Sequence, residues 1–229
     1  NECKGQDIKN ICPSMYGEPL IQKDYLKYLR YIRKNLPNVK ISLITNSTLL
    51  TEEISKKLIE ENLIDKINFS IDSFTKNTCQ KLKKIDYDKV IENINFFFKH
   101  KKLKSSKIRA GVSFVLCNEN IQEWFDFKRF WKNRADYIHL AFDDGRFTNK
   151  HLINLKNISP CKPLFRDMNI ISSGKVIFCC IDCIGKYPLG DLNTNSIKEV
   201  WCGKLFNNFR KMHIKYKKHK HPLCKNCDF

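Results

Sequence analysis

The sequence predicts an α/β fold in which a partial barrel of parallel strands is followed by a small α+β domain. Strand-like and helix-like segments alternate five strands deep, at about thirty residues per unit, the usual size of a β-α-β repeat. Each predicted strand ends in a small polar cluster, as expected at the ligand-binding edge of an α/β barrel. After Cys161 a hairpin pattern and clustered cysteines replace the alternation. We therefore expect two domains, residues 1–148 and residues 149–229.

The elements of the first domain follow from hydrophobic periodicity. Apolar residues recur at helical spacing from Tyr25 to Leu36, and Pro37 ends that helix. Thr51 is placed to cap the next helix. Helices between strands act as crossovers, so the strands should be parallel and the crossovers right-handed. Strands are predicted at residues 9–16, 40–45, 66–71, 108–117 and 137–142.

The second domain begins with a predicted hairpin. Two short apolar segments flank residues 172–174, which end in Gly174 and are typical of a turn. Further along, Ser196 and Glu199 have the spacing of a capping box, in which a side chain at each end of the first turn satisfies a backbone N–H. A helix is therefore predicted to start at this point and to carry Val200 and Trp201.

Composition excludes several classes of protein. The net charge is +18, but the lysines are spread over the predicted helices rather than focused in one patch, so we do not expect a nucleic-acid partner. No apolar run approaches the ~20 residues of a membrane helix, so we expect no membrane association. The amino-terminal residues show no signal peptide. Eleven cysteines, many of them clustered, then predict metal ligands in the reducing cytoplasm.

The cysteine spacing after residue 160 is typical of a metal or cluster site. Gly174 precedes Cys179 by five residues, and Cys224 and Cys227 form a C-x-x-C pair near the end of the sequence. Four thiolates brought together from such spacing hold either a tetrahedral zinc ion or an iron–sulfur cluster. A regular strand would point Cys179 and Cys180 to opposite faces. Cys180 and Cys183 are therefore interpreted as core or reserve thiols.

Taken together, these motifs resemble a known family. Gly17-Glu18-Pro19-Leu20 after one strand, Thr45-Asn46 after the next and Ser70-Ile71-Asp72 after the third resemble the radical S-adenosylmethionine (SAM) enzymes. The cysteine pattern resembles their carboxyl-terminal SPASM domain, or its shortened twitch form. The resemblance runs from about Cys12 to Cys227. It implies a partial (β/α)6 barrel and one auxiliary [4Fe–4S] cluster, with these ligands: Cys161, Cys179, Cys224 and Cys227.

The resemblance also implies the reaction class. Radical SAM enzymes cleave SAM at a catalytic [4Fe–4S] cluster to a 5′-deoxyadenosyl radical, which abstracts a hydrogen atom from the substrate. For this chain it implies a peptide or small-molecule substrate, an electron donor such as flavodoxin or ferredoxin, and an electron-transfer role for the auxiliary cluster. The residues that match the family's SAM contacts are Gly17, Glu18, Thr45, Asn46, Ser70 and Asp72.

One part of the family's pattern is missing. The catalytic cluster is held by a C-x-x-x-C-x-x-C loop, whereas only Cys3 and Cys12 precede Gly17. We therefore expect an amino-terminally truncated chain that binds the catalytic cluster only in its full-length form and is inactive as it stands. The alternatives are a zinc-bound four-cysteine binding module and a degenerate, non-catalytic relative.

Overall fold

The structure, a computed structural model, describes residues 2–143, 159–225 and 227. The chain divides into two compact units. One comprises Asp7–Leu152, and the other combines Asn1–Gln6 with Ile153–Phe229. The domain boundary expected after residue 148 falls outside the described residues. Across the described residues, no helix has the length and apolar character needed to cross a membrane.

The unit Asp7–Leu152 is built on one parallel sheet of five strands in the order β1-β2-β3-β4-β5. This confirms the predicted α/β class. Its strands are β1 (Asn10–Ile11), β2 (Lys40–Thr45), β3 (Lys66–Ser70), β4 (Arg109–Leu116) and β5 (Tyr137–Phe142). Its helices are α1 (Tyr25–Asn35), α2 (Glu52–Glu60), α3 (Lys76–Leu82), α4 (Tyr87–Leu103) and α5 (Trp124–Trp131).

One face of this sheet carries the hydrophobic core. Leu43, Phe69 and Phe114 point to that face and are fully buried among side chains of the helices. Burying a side chain of this size contributes about 1.5–3 kcal/mol to folding. The start of α2 is fixed by a side-chain cap, because Thr51 accepts a hydrogen bond from the Ile54 N–H, as predicted.

The other face of the sheet is polar. We define this polar face by five residues of β2 to β5, which alternate with the core residues: Ser42, Asn68, Ser70, Ser113 and His139. The Asn68 amide donates to Ser113 Oγ at 2.8 Å. Ile44, on the same face, keeps 50% of its surface exposed. The polar face therefore has the composition of a ligand-binding surface rather than of a core.

Tyr137 covers the amino-terminal part of the polar face. Its ring lies over Gly111, where a Cβ atom would come within 2.4 Å of the ring carbons. Its hydroxyl donates to the Ile67 carbonyl at 2.9 Å. Only a glycine at position 111 leaves room for this arrangement.

Two elements differ from the prediction. The strand expected over residues 9–16 is confined to β1, Asn10–Ile11. Helix α3 was not predicted, because its sequence has little apolar periodicity. Its amino terminus is capped locally by Thr75, whose hydroxyl accepts from the Thr78 N–H, and is also held from a distance: the Glu123 carboxylate accepts hydrogen bonds from the Phe74 N–H and the Thr78 hydroxyl.

The second unit contains a three-stranded antiparallel sheet in the order β6-β7-β8. The predicted hairpin is confirmed, with Gly174 at φ +86° in its turn. So is the capping box of Ser196 and Glu199. The elements of this unit are α6 (Pro163–Arg166), β6 (Asn169–Ile170), β7 (Lys175–Ile177), β8 (Pro188–Asp191), α7 (Ile197–Cys202), α8 (Lys204–Ile214) and α9 (Pro222–Lys225). At the other end of the sequence, the Glu2 carboxylate accepts from the Ile197 N–H at 2.7 Å.

The carboxylate of Asp65, which lies just before β3, joins α1 and β2 of the first unit. It pairs with Arg33 of α1 at 2.7 Å and Lys40 of β2 at 2.9 Å, and accepts from the Ile41 N–H at 2.9 Å. Burial opposes ionisation, but these partners together lower the pKa of Asp65 from 3.8 to about 2. A lowered carboxylate pKa stabilises the fold above the unfolded value, and this contribution is lost as pH falls through the folded value.

Asp65→Asn should therefore lower the free energy of unfolding by about 1–2 kcal/mol at neutral pH, with allowance for solvent screening. The difference in unfolding free energy between variant and parent should shrink and disappear as the pH falls from about 4 to 2. Over this range the Asp65 carboxylate of the parent becomes protonated and is then uncharged, like the asparagine of the variant. Urea unfolding across this pH range measures both values. Asp7→Asn, at an exposed surface pair with Lys9, is the matched control and should change little. A constant difference down to pH 2 would contradict the charge-based account.

Candidate functional site

The predicted SAM-contact residues form two clusters at the carboxyl ends of β2 and β3. In the first, the Glu18 carboxylate accepts from Leu20 N–H at 3.1 Å, Thr45 hydroxyl at 2.8 Å and Asn46 N–H at 2.7 Å. Thr45 is 1% exposed, and its hydroxyl also accepts from the Ser47 N–H. Glu18 therefore clamps its own loop to the end of β2, and the Thr45 proton is directed at Glu18.

Gly17 and Asn46 are the more open members of this cluster. Gly17 adopts φ +77°, a left-handed conformation that favours glycine, and a Cβ atom at this position would meet nothing within 4 Å. The Asn46 side-chain oxygen accepts from the Thr48 N–H and hydroxyl at 2.9 and 2.7 Å. A ligand can therefore approach the Gly17 backbone without a side chain in the way.

The Glu18 clamp predicts a measurable loss when its charge is removed. Glu18→Gln replaces one oxygen by an NH2 group, which must then face one of the three donors. The variant should lose about 2 kcal/mol of unfolding free energy, because charge-assisted hydrogen bonds to partly buried carboxylates are among the stronger ones. Thermal or urea unfolding measures the loss. Glu92→Gln, in an exposed pair with Lys89, is the control. An equal loss of unfolding free energy in both variants would show that Glu18 does not hold its loop to β2.

The second cluster contains a buried ion pair. The Lys83 ammonium lies 2.7 Å from the Asp72 carboxylate, and it also donates to the Ser70 hydroxyl at 2.9 Å and the Ser70 carbonyl at 2.6 Å. The Ser70 hydroxyl donates to Asp72 at 3.0 Å. The side chains of Lys83 and Asp72 are only 15% and 7% exposed. The cluster is therefore electrically balanced and rigidly held.

Asp72 is also tied to the neighbouring strand. Its second carboxylate oxygen accepts from the Val115 N–H at 2.8 Å, and the buried Asn120 amide donates to the Asp72 carbonyl at 2.9 Å. Because Thr45 pairs with Phe69 in the register of β2 and β3, the two clusters follow adjacent strands. They lie at the edge where parallel α/β sheets bind ligands.

In the second unit, the four predicted ligand cysteines influence one another. Burial raises the pKa of Cys161, and the thiols of Cys227 and Cys180 raise it further. Burial raises the pKa of Cys224 to about 12, with further contributions from Cys227 and Cys161. The Cys180 thiol and burial raise the pKa of Cys179, which also responds to Cys224. These thiols are therefore grouped within one region of the unit.

The interpretation of Cys180 and Cys183 as core thiols is wrong, whereas the alternative, that they are reserve thiols, stays a prediction. The thiols of Cys179 and Cys180 interact with each other instead of pointing to opposite faces, because β7 ends at Ile177, where its pairing with β8 is irregular. Cys180 and Cys183 are both exposed, so neither is a core residue.

His213 lies between two of the predicted ligands. It is 1% exposed. Its Nδ1 accepts from the Cys161 N–H at 3.2 Å, and its Nε2 lies 3.7 Å from Cys224 Sγ. Burial lowers the pKa of His213, and Lys218 and His221 lower it further.

The donor set suits an iron–sulfur cluster. Thiolates are the usual ligands of such clusters, and each sulfur binds a different iron atom. Among the described residues, no three His, Cys, Asp or Glu side chains are arranged to hold a single metal ion. The four thiols lie close enough to affect one another's ionisation. The two cysteines that precede Gly17, Cys3 and Cys12, fall in different units.

Two contributors to these sites were missed at the level of sequence. Lys83 follows directly after α3, and the return of the chain along this helix brings its side chain to Ser70 and Asp72. No rule of sequence spacing predicts this contact. His213 lies in a predicted helix, and nothing in the sequence gave a reason to place its ring beside Cys161 and Cys224.

The parallel sheet, the polar clusters at its strand ends and the grouped thiols define an α/β protein with an iron–sulfur-type site. Comparison with known families identifies it further. A match to the radical SAM superfamily covers residues 2–131, and a match to the SPASM iron–sulfur cluster-binding domain covers residues 161–228. The chain belongs to the radical SAM superfamily and carries a SPASM domain. The cofactors of these two families are SAM and [4Fe–4S] clusters.

Curated relatives match parts of the chain. An uncharacterised protein of Methanocaldococcus jannaschii is 34% identical over 96 residues, which are 42% of this chain and 33% of the relative. An uncharacterised protein of Treponema pallidum is 22% identical, over 83% of this chain and 57% of its own length. A GTP 3′,8-cyclase of Sulfurimonas denitrificans is 26% identical, over 62% and 42%. The chain thus spans a third to just over half of the length of these relatives.

Solved structures share the fold. A structure of anSMEcpe with bound AdoMet and a Cp18Cys peptide is 16% identical, with a TM-score of 0.69, over 99% of this chain and 75% of that one. BtrN in complex with AdoMet and 2-DOIA is 20% identical, with a TM-score of 0.61, over 96% and 72%.

Proposed function

We propose that this chain provides the SAM-binding edge and the auxiliary cluster of a radical SAM enzyme that oxidises or otherwise modifies a peptide or a small molecule. The observation that carries the proposal is the grouping of Cys161, Cys179, Cys224 and Cys227 in one unit of a chain that matches the iron–sulfur cluster-binding family. A relative that is a GTP 3′,8-cyclase and neighbours that bind AdoMet support the same class.

The residues at the sheet edge have distinct parts in this proposal. The SAM amino group would lie near the Gly17 backbone, whose carbonyl can accept from an ammonium. The SAM carboxylate would meet the Ser70 hydroxyl and the Lys83 ammonium, with Asp72 holding Lys83 in place. Glu18 and Thr45 act as positioning residues, because their hydrogen bonds are made within the chain.

The auxiliary cluster, when bound, would supply one-electron transfer, with flavodoxin or ferredoxin as the external donor. Four thiolate ligands would leave no iron open, which favours electron transfer over direct substrate chelation. The substrate would lie against the polar face of the sheet. Its serine, asparagine and histidine side chains suit a substrate with several hydrogen-bonding groups, such as a peptide or a polar metabolite.

Anaerobic reconstitution tests the cluster assignment. The protein should take up about four irons per chain with an equal amount of sulfide and show the broad visible absorbance of a [4Fe–4S] cluster. One tightly bound zinc ion without visible absorbance would establish the four-cysteine zinc module instead. If neither iron nor zinc binds at the four cysteines, the chain is a relative that has lost the site.

A further inference from the structure

His213 faces two cluster ligands from the buried side of helix α8. Its Nδ1 accepts from the Cys161 backbone N–H, so the proton of a neutral ring must sit on Nε2. That nitrogen lies 3.7 Å from Cys224 Sγ, within the reach of an N–H···S hydrogen bond.

This geometry gives His213 a role other than that of a metal ligand. One ring nitrogen is occupied by a backbone donor, and the other is directed at a sulfur. A ring fixed in this way holds the backbone of the first ligand, Cys161, and the side chain of the third, Cys224, at a set separation. The contact is the usual form of outer-shell support, in which a hydrogen bond orients a ligand and tunes its charge.

A hydrogen bond to a ligand sulfur also affects the reduction potential of a cluster. It stabilises the more negative, reduced state. Hydrogen bonds to the sulfurs and net charge are established determinants of cluster potential.

We propose that His213 positions the Cys161 and Cys224 ligands and donates an Nε2–H···S hydrogen bond to Cys224, which raises the reduction potential of the auxiliary cluster. The inference rests on the proposed function, because it requires a cluster at these cysteines. It concerns the energy of the electron that the cluster exchanges and not the identity of the substrate.

The test compares cluster potentials in reconstituted full-chain protein. His213→Leu removes the donor, His213→Gln keeps an N–H donor, and His219→Leu changes an exposed histidine on the segment that follows α8. Potentiometric titration followed by electron paramagnetic resonance gives each midpoint. The midpoint of His213→Leu should be more negative than that of the parent, that of His213→Gln should lie between them, and that of His219→Leu should match the parent. A filled cluster with the parent midpoint in His213→Leu would overturn the inference.

A measurement on the unaltered protein covers the case in which His213→Leu loses its cluster. Protein grown with ¹⁵N-histidine should show one ¹⁵N hyperfine coupling to the reduced cluster, transmitted through the hydrogen bond, and His213→Gln should lack it. A reduced parent cluster without this coupling would overturn the inference alone. A parent protein that assembles no iron–sulfur cluster would overturn the proposed function as well, so the two failures are distinguishable.

Discussion

Cys224→Ala is expected to abolish the auxiliary cluster, lowering iron from about four per chain to less than one. Cys224 is 7% exposed and shares its environment with the thiols of Cys161 and Cys227. A cluster that loses one thiolate has one iron without a protein ligand and becomes labile. Iron and sulfide analysis after anaerobic reconstitution, together with the visible spectrum, measures the effect.

Two other cysteines provide matched controls for this change. Cys79 is 1% exposed in the other unit, and Cys79→Ala should cost stability without loss of iron. Cys183 is exposed in the same unit as Cys224, and Cys183→Ala should change neither the stability nor the iron content. If Cys183→Ala lost the iron and Cys224→Ala kept it, the ligand set would be a different one.

Lys83→Met should have the largest effect on the sheet unit, lowering the free energy of unfolding by about 3–5 kcal/mol. The change leaves the Asp72 carboxylate buried at 7% exposure without its cation. The Ser70 hydroxyl and the Val115 N–H still donate to it but do not neutralise its charge. Urea unfolding measures the loss, and Lys84→Met, at an exposed neighbour, is the control.

The double variant Asp72→Asn/Lys83→Met separates the buried charge from the loss of packing. Removing both charges should restore most of the stability, because replacing a whole buried ion pair is often close to neutral. In a form of the protein that carries a C-x-x-x-C-x-x-C loop, Lys83→Met should also weaken SAM binding about tenfold, equivalent to about 1.4 kcal/mol. Unchanged SAM affinity, measured by calorimetry, would remove Lys83 from the proposed carboxylate site.

The sheet was predictable because its signals are local. The predicted bounds of β2 and β5 are confirmed, since both are short segments rich in β-branched and aromatic residues between polar turns. Helix α3 could not be found in this way, because its amino terminus is stabilised by Glu123, 45 or more residues away. The hairpin was predictable, but the direction of the Cys180 side chain depends on an irregularity that no alternation rule shows.

The candidate site was likewise predictable only in part. Glu18, Thr45 and Asn46 were identified from their positions at strand ends, and they do form one cluster. Their hydrogen bonds show that Glu18 and Thr45 are engaged with each other, which spacing did not reveal. Lys83 and His213 enter their clusters through three-dimensional proximity, so a single sequence identified neither role.

The Tyr137 ring over Gly111 closes the amino-terminal part of the polar face to a bound molecule. Gly111 precedes Ser113 on β4 by two residues, and its partner on β3 precedes Ser70 by two residues. Because each strand residue advances about 3.3 Å, the ring blocks the polar face roughly two residues towards the amino-terminal edge from Ser113 and Ser70. A molecule held at the carboxyl edge must fit within that short depth or extend sideways and upwards. The size of the Tyr137 side chain, near the start of β5, therefore limits how far a molecule could reach along the polar face from that edge.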